Sequence, residues 1–338
     1  MNLTNEQIKS ALLGTVRVEE EEKALIPRRL TKEQEEVYRI TDSTWYAKSL
    51  CSAGIRLSFK TNSRELYLRA YVFHKSGRKY YSFDLFVNGQ PAGNLDNFSH
   101  LQLPADYTAV PMEQGDCEKL FSLGEGEKTV TLVFPYSVEV KLYEIALEDN
   151  SSFYPVKPQK LLLSYGDSIT QGYDALRPSA RYTSRLADAL GAEELCKGIG
   201  GARFLPAIGE LGDSVSPDII TVAYGTNDWS KISREEFGEK CTGFFSGLCK
   251  NYPDVPVFAI SPLWRKDIND PPRKFGEFCE VERALRQCTK AHENVTVISG
   301  IDLIPHSENN FGDLRLHPND RGFDHYFCNL WAELQKRI

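Results

Sequence analysis

"LLLSYGDSITQGY", residues 161–173, runs from three leucines through Tyr165 into Gly-Asp-Ser and breaks at Gly172. The apolar run, bounded by Pro158 and Gly166, reads as a short strand buried on both faces, the kind found in parallel sheets. In open parallel α/β sheets, ligands bind beyond the carboxyl ends of the strands, so a hydroxyl at this turn stands exposed on a rigid support. Ser168 is therefore a candidate nucleophile. Gly-Asp-Ser alone does not decide the matter, because Ser and Asp are also the common N-caps of helices and either could simply hold the turn.

The sequence that follows keeps one grammar. Strands "KLLLSYG", "DIITVAYG", "VPVFAIS" and "NVTVIS" alternate with helical stretches at 181–190, 234–250 and 276–292, a pattern of β-α-β units around a parallel sheet. In the last segment Phe323, Phe327, Leu330 and Leu334 recur at helical spacing after Asn319 and Asp320, either of which can cap the helix; that stripe reads as core. The sequence ahead is different. From Ile55 to Leu147, short segments such as "GIRLSFKT", "ELYLRAYVF" and "YYSFDLFVNG" alternate apolar and polar residues, and Asn88-Gly89 is a strong hairpin signal. Several such strands without a helix among them imply an antiparallel sandwich or jelly roll. Residues 1 to about 45 read as mixed helix and irregular chain. "NSSFYPVKPQK", 150–160, with two prolines, suits a linker, so two domains are expected, 1–155 and 156–338.

Composition narrows the partners. The 338 residues exceed one usual core, the 41% hydrophobic content is ordinary for a globular chain, and the formal net charge of −7 argues against nucleic acid. The amino-terminal sequence has no apolar stretch of the length a signal peptide or membrane span needs, which leaves a cytoplasmic address and no membrane partner as the expectation. Glu19 to Glu22 reads as a solvated charge run. The eight cysteines lack Cys-x-x-Cys pairs and clustered histidines, so neither zinc nor any other cofactor is expected. All eight, Cys328 in "HYFCNLW" included, read as structural thiols of a reducing compartment.

A nucleophilic serine needs partners. The strand 218–224 runs into "YGTNDW", which places Asn227 in a second loop beyond a strand end, where a neutral amide can donate to a transient oxyanion; an Asx turn is the competing reading. "CKGIGGARF", 196–204, carries Gly200 and Gly201, which let the backbone approach a ligand and aim an amide at it, although glycine pairs are mostly turns. Of the six histidines, His317 in "LHPND" is presented on a turn stiffened by Pro318 and is the candidate base. His306 also lies in a loop. His325 falls inside the last helix and His292 ends a predicted one, while His74 and His100 lie in the β half.

"YGDSITQGY", "GIGGAR", "YGTNDW" and "LHPND", in this order across 161–338, resemble the four blocks of the SGNH (GDSL-type) hydrolase superfamily. The resemblance implies a three-layer α/β/α, flavodoxin-like domain, here behind an antiparallel β-sandwich that is similar to the jelly-roll modules of some carbohydrate esterases. Carried over, it makes Ser168 the nucleophile and His317 the base. The Ser168 amide, Gly201 (Gly200 in the alternative register) and Asn227 become the oxyanion donors. The family places an aspartate three residues before the histidine, where this chain has Leu314. Either a bulged turn brings Asp313, four before, to the ring, or His317 works in a dyad oriented by a main-chain carbonyl. Arg315 is a competing partner for Asp313. The implied activity is a metal-independent serine esterase that releases a small acyl group, acetyl foremost, from a carbohydrate or similar alcohol. Two alternatives stand beside it: acyl transfer by the same residues, and a carbohydrate-binding protein with an inactive hydrolase half.

Overall fold

The computed structural model describes residues 1–22, 24–270 and 273–338. Two antiparallel sheets come from the first part of the chain. In one, strands Arg56–Thr61, Lys128–Val133, Ser82–Val87 and Gln90–Asp96 lie side by side, with Leu12–Leu13 and Tyr154–Pro155 on the outer edge of the first. The other has the order Arg17–Glu21, Ala24–Arg28, Val138–Leu147, Glu65–His74, Gly115–Ser122. Period-2 alternation explains how they pack. Leu66, Leu68, Ala70 and Val72 point inward and are fully buried, and they share one apolar cluster with Leu57, Phe59, Val130 and Leu132 of the facing sheet. Full burial of each large member contributes about 1.5–3 kcal/mol. Asn88 and Gly89 form the expected two-residue turn between Ser82–Val87 and Gln90–Asp96, both at positive φ, 50° and 77°.

The second part is a five-stranded parallel sheet in the order Ala192–Gly198, Lys160–Gly166, Ile219–Ala223, Val257–Ile260, Val295–Ile298. The second strand in chain order thus lies outside the first. Leu163 and Tyr165 pack against Phe237, Phe244 and Leu248 of the helix Arg234–Asn251 on one face. Leu162 packs with Tyr182 and Leu186 of Tyr182–Leu190, and with Phe323 and Tyr326 of Asp320–Leu334, on the other. The result is three layers, helix on sheet on helix. The strand order reverses between Lys160–Gly166 and Ile219–Ala223, and such a reversal opens a crevice at the carboxyl ends of those two strands.

Several expectations need correcting. The strand Ala192–Gly198, "AEELCKG", was hidden by its charges: Glu194 and Lys197 are buried on it because Arg181 makes two 2.6 Å bonds to Glu194 and Lys197 pairs with Asp213 at 2.6 Å. The Glu19–Glu22 run is not a mere solvated segment, since Glu19–Glu21 belong to an edge strand on which Glu19 pairs with Arg28 at 2.8 Å. The amino-terminal residues likewise hold ordered strands as well as helices. The helix expected over 276–292 is confined to Glu280–Thr289. In the last helix the buried stripe is Phe323, Tyr326, Leu330 and Leu334, with Phe327 half-buried, because a period of 3.6 rotates Tyr326 onto the inner face. Asn319 is its cap, accepting the Gly322 N–H at 3.0 Å. Cys328 lies on the outer face and is exposed, as is Cys279, so neither is a core residue.

The helices Lys32–Thr41 and Ser43–Ser49 contribute nothing to the core between the antiparallel sheets and turn their aromatics to the parallel-sheet region. Thr31 and Gln34 close a capping box on the first, and Asp42 caps the second. Their buried Tyr38 and Trp45, edge to face at 6.5 Å, join the same cluster as Leu163, Ile199 and Phe204 of the parallel-sheet region.

Candidate active site

Ser168 opens a four-residue helix, Ser168–Gln171, directly after the strand Lys160–Gly166. The capping task falls to Asp167, whose Oδ1 accepts the Ile169 N–H at 2.9 Å. Burial pushes the Asp167 carboxyl up to about 6. The serine hydroxyl is thereby left for another partner, and its Oγ stands 2.8 Å from Nε2 of His317.

His317 reaches the serine from a turn shaped by Asp313. Leu314 sits in the left-handed region, φ 54°, at a cost of about 1–2 kcal/mol for an L-residue. The turn this creates lets Oδ1 of Asp313 accept the N–H groups of Arg315, Leu316 and His317 at 3.0, 2.7 and 3.1 Å. Oδ2 of the same carboxylate is 2.7 Å from His317 Nδ1. Burial alone would raise the Asp313 carboxyl, but the His317 bond and charge, with the backbone donors, hold it well below the usual carboxylate range. Arg315 contributes its backbone N–H to Asp313, and among the described residues its guanidinium forms no ion pair there. With Nδ1–H donating to Asp313, Nε2 is an acceptor for the serine hydroxyl, which is the tautomer a general base requires.

Two further loops meet this one. Gly201 has φ +84°, and a Cβ there would lie 3.3 Å from Trp45 Nε1, so only glycine suits the position. Among the described residues the Gly201 and Ser168 N–H groups have no acceptor, whereas Gly200 N–H donates to Gln171 Oε1 at 2.8 Å. Of the two registers, Gly201 is the one with a free amide. Asn227 lies on the short helix Thr226–Lys231, and its Nδ2 crosses to donate to Ala202 C=O at 3.1 Å rather than closing an Asx turn. The buried Asp228 beside it accepts the Phe204 N–H at 3.3 Å, and burial pushes its carboxyl up to about 7. His306 is exposed, stacks on Trp264 and bonds Ile301 C=O at 2.9 Å, with no contact to Ser168.

Residues that the motifs did not announce surround the histidine. Asp174, fully buried six residues after the serine, pairs with the Arg78 guanidinium. It also takes the Tyr80 hydroxyl at 3.1 Å on its side chain and the Tyr107 hydroxyl at 2.5 Å on its carbonyl, while its N–H donates to Tyr136 Oη at 3.1 Å. All four partners come from the antiparallel region, 38 to 96 positions upstream, and no local spacing marks them. Burial raises the Asp174 carboxyl against the lowering influence of His317 and Arg78. Its unpartnered Oδ2 lies 3.9 Å from His317 Nδ1, and Arg78 Nη2 is 3.3 Å from the same nitrogen. Nδ1 cannot accept from Arg78 while it donates to Asp313, so that contact is electrostatic. Asp174, Asp313 and His317 bring potential metal ligands within 4.8 Å of one another. Both ring nitrogens are already engaged, and the guanidinium supplies the positive charge, so the donor set is a poor match for a metal.

A cavity of about 880 Å³ lies beyond the ends of the strands Val257–Ile260 and Val295–Ile298, lined by Trp229, Pro262, Ile268, Phe278, Glu282 and Ile301 among others. Neither Ser168 nor His317 lines it, so it stands apart from the reacting atoms.

Residues 164–325 match the model of the GDSL-like Lipase/Acylhydrolase family. No curated protein matches the chain. Among solved structures, a salicylyl-acyltransferase from a tetracycline biosynthetic pathway superposes with a TM-score of 0.78 at 19% identity, over 96% of this chain and 94% of its own. A putative GDSL-like lipase from Bacteroides ovatus gives 0.77 at 22% identity, over 99% and 97%. A family two carbohydrate esterase from Clostridium thermocellum gives 0.62 at 16% identity, over 85% and 94%. The serine that ends the first parallel strand therefore sits in a recognised frame: residues 164–325 match the GDSL-like lipase/acylhydrolase family, and the chain is a hydrolase acting on ester bonds with an antiparallel β region ahead of the matched part.

Proposed function

We propose that Ser168, His317 and Asp313 form the triad of a serine esterase that works through an acyl-enzyme. The observation that carries this reading is the continuous hydrogen-bonded chain Ser168 Oγ, His317 Nε2, His317 Nδ1, Asp313 Oδ2, at 2.8 and 2.7 Å. His317 Nε2 takes the hydroxyl proton as Oγ attacks the ester carbonyl, and Asp313 stabilises the imidazolium that forms. The N–H groups of Ser168 and Gly201 and the free N–H of the Asn227 amide receive the oxyanion. His317 returns its proton to the departing alcohol, and water, deprotonated by the same nitrogen, releases the acid and frees Ser168.

The substrate we favour is a small acyl ester, acetyl on a carbohydrate or a similar alcohol, in line with the carbohydrate esterases that share the fold. Acyl transfer is the second reading, favoured by the likeness to a salicylyl-acyltransferase along nearly the whole chain. The eight cysteines, all free, suit a reducing compartment such as the cytoplasm, and among the described residues no helix is long and apolar enough to cross a membrane. We divide the chain into units 1–155 and 156–338, with the helices of 32–49 belonging to the first by sequence and to the second by packing.

The test is turnover of p-nitrophenyl acetate, butyrate and octanoate and of acetylated sugars, with and without an acceptor alcohol, by wild type and Ser168→Ala. We expect turnover falling with acyl length and a loss of at least about 10⁴-fold in the variant. Product on the acceptor in preference to water would move the reading to a transferase. Equal activity in a folded Ser168→Ala would refute the serine mechanism.

A further inference from the structure

We infer that Lys48, outside the hydrolase half, is a positioning residue that sets the oxyanion-hole peptide of Gly201. The inference rests on the reading of Gly201 N–H as an oxyanion donor. Lys48 Nζ, from the helix Ser43–Ser49, donates to the Gly200 carbonyl at 2.8 Å. The peptide between Gly200 and Gly201 is trans, so its C=O and N–H point to opposite sides. An ammonium group gripping the carbonyl on one side therefore aims the Gly201 N–H to the other, where among the described residues no protein acceptor meets it.

The surroundings make this grip the deciding one. The preceding peptide is fixed by Gln171 of the hydrolase half, whose Oε1 accepts the Gly200 N–H at 2.8 Å and whose amide in turn donates to Tyr136 C=O of the antiparallel region at 3.1 Å. Among the described residues the Gly200–Gly201 peptide itself receives no hydrogen bond from its own half; the Ala202 N–H to Ile199 C=O bond at 3.0 Å closes the turn around it and leaves the peptide plane free to rotate. Glycine visits positive and negative φ with similar ease, so a Gly-Gly peptide rotates at low cost unless something holds it. Rotation would turn the N–H away and present the carbonyl oxygen to the developing negative charge.

Lys48 is itself held in place. Arg29, fully buried, donates to the carbonyls of Lys48 (3.0 Å) and Cys51 (2.8 Å) on one side and of Cys196 (2.8 Å) and Gly198 (2.9 Å) on the other, riveting the end of this helix to the strand that leads into the glycines. Trp45, one turn before Lys48, lies against Gly201. A cationic donor on the carbonyl also polarises the peptide and makes its N–H a stronger donor.

The experiment compares Lys48→Met, which keeps the apolar stem without the ammonium, with Lys48→Arg, Lys48→Gln, wild type and Ser168→Ala. Competent serines are counted with a fluorophosphonate probe, so that kcat on p-nitrophenyl acetate is expressed per labelled Ser168. Binding of a methyl trifluoromethyl ketone, which forms a tetrahedral oxyanion adduct, is measured beside it. Since loss of a whole donor costs about 10²–10³ in kcat, misaiming one is expected to cost roughly 10- to 100-fold in Lys48→Met, with KM within about two-fold and ketone affinity falling in parallel with kcat. Lys48→Arg, which retains a cationic donor, should recover part of the loss. A purely structural role would lower the labelled fraction and leave kcat per labelled site at the wild-type value, which overturns the inference. If Lys48→Met does not fold, Lys48→Gln carries the test: a reduced kcat at constant KM supports it and an unchanged kcat overturns it. Inert Lys48 variants beside a dead Ser168→Ala would remove Lys48 alone. A wild type that neither turns over esters nor takes the probe at Ser168 would remove the esterase reading and this inference with it.

Discussion

The two sides of His317 are built by opposite means. On one side stand Ser168, from the turn that ends its strand, and Asp313, four residues before the histidine, bonded to the ring at 2.8 and 2.7 Å. On the other stands Asp174, enclosed by Arg78, Tyr80, Tyr107 and Tyr136 of the antiparallel region. The first side has the groups to which we assign proton transfer. The second sets the charge and the dryness in which they move. A nucleophile motif can therefore be recognised in a dozen residues while the environment that makes it work is assembled from a different part of the chain.

Breaking the motif side should have the larger effect on turnover. Asp313→Asn removes the carboxylate that fixes the ring, and by analogy with triads that lose their orienting acid we expect kcat to fall by about 10⁴. Wild-type rates in that variant, beside an inactive His317→Ala, would establish a dyad and shift the orienting task elsewhere. Asn227→Ala ranks next, with kcat down about 10²–10³ and KM nearly constant; a rise in KM alone would recast Asn227 as a binding or loop-fastening residue. Arg78→Met, on the wall side, should reduce turnover per folded molecule only a few-fold. Its main cost should be stability, about 3–5 kcal/mol in urea unfolding, because it strands Asp174 without its cation in a buried site. A large loss of kcat without a loss of stability would erase the contrast and place Arg78 among the groups that act on the substrate.

The same contrast governs what could be read without a structure. The strand into Gly-Asp-Ser, the Asn88-Gly89 turn and the alternating strands were legible because each signal is local and periodic. The placement of Asp313 was open, since only the left-handed Leu314 turns a spacing of four into a contact. The strand at Ala192–Gly198 escaped because Glu194 and Lys197 look exposed until Arg181 and Asp213 are brought to them across the fold. Arg78 and Lys48 carried no signal: an arginine in "HKSGRKY" and a lysine in "WYAKSL" read as ordinary surface cations, and each acquires a partner only when segments 96 and 152 positions apart meet.

The packing of Tyr38 and Trp45 against the parallel-sheet region also orders events during synthesis. These two aromatics leave the ribosome well over a hundred residues before Leu163, Ile199 and Phe204, the side chains that cover them, exist. The antiparallel strands that follow can pair with one another at once, but the helices of 32–49 must wait, apolar faces uncovered, until the later half arrives. Contacts of such long sequence separation form slowly and leave sticky surface exposed in the meantime. The nascent chain is thus most vulnerable to aggregation at the helices of 32–49, long before there is an ester to cleave.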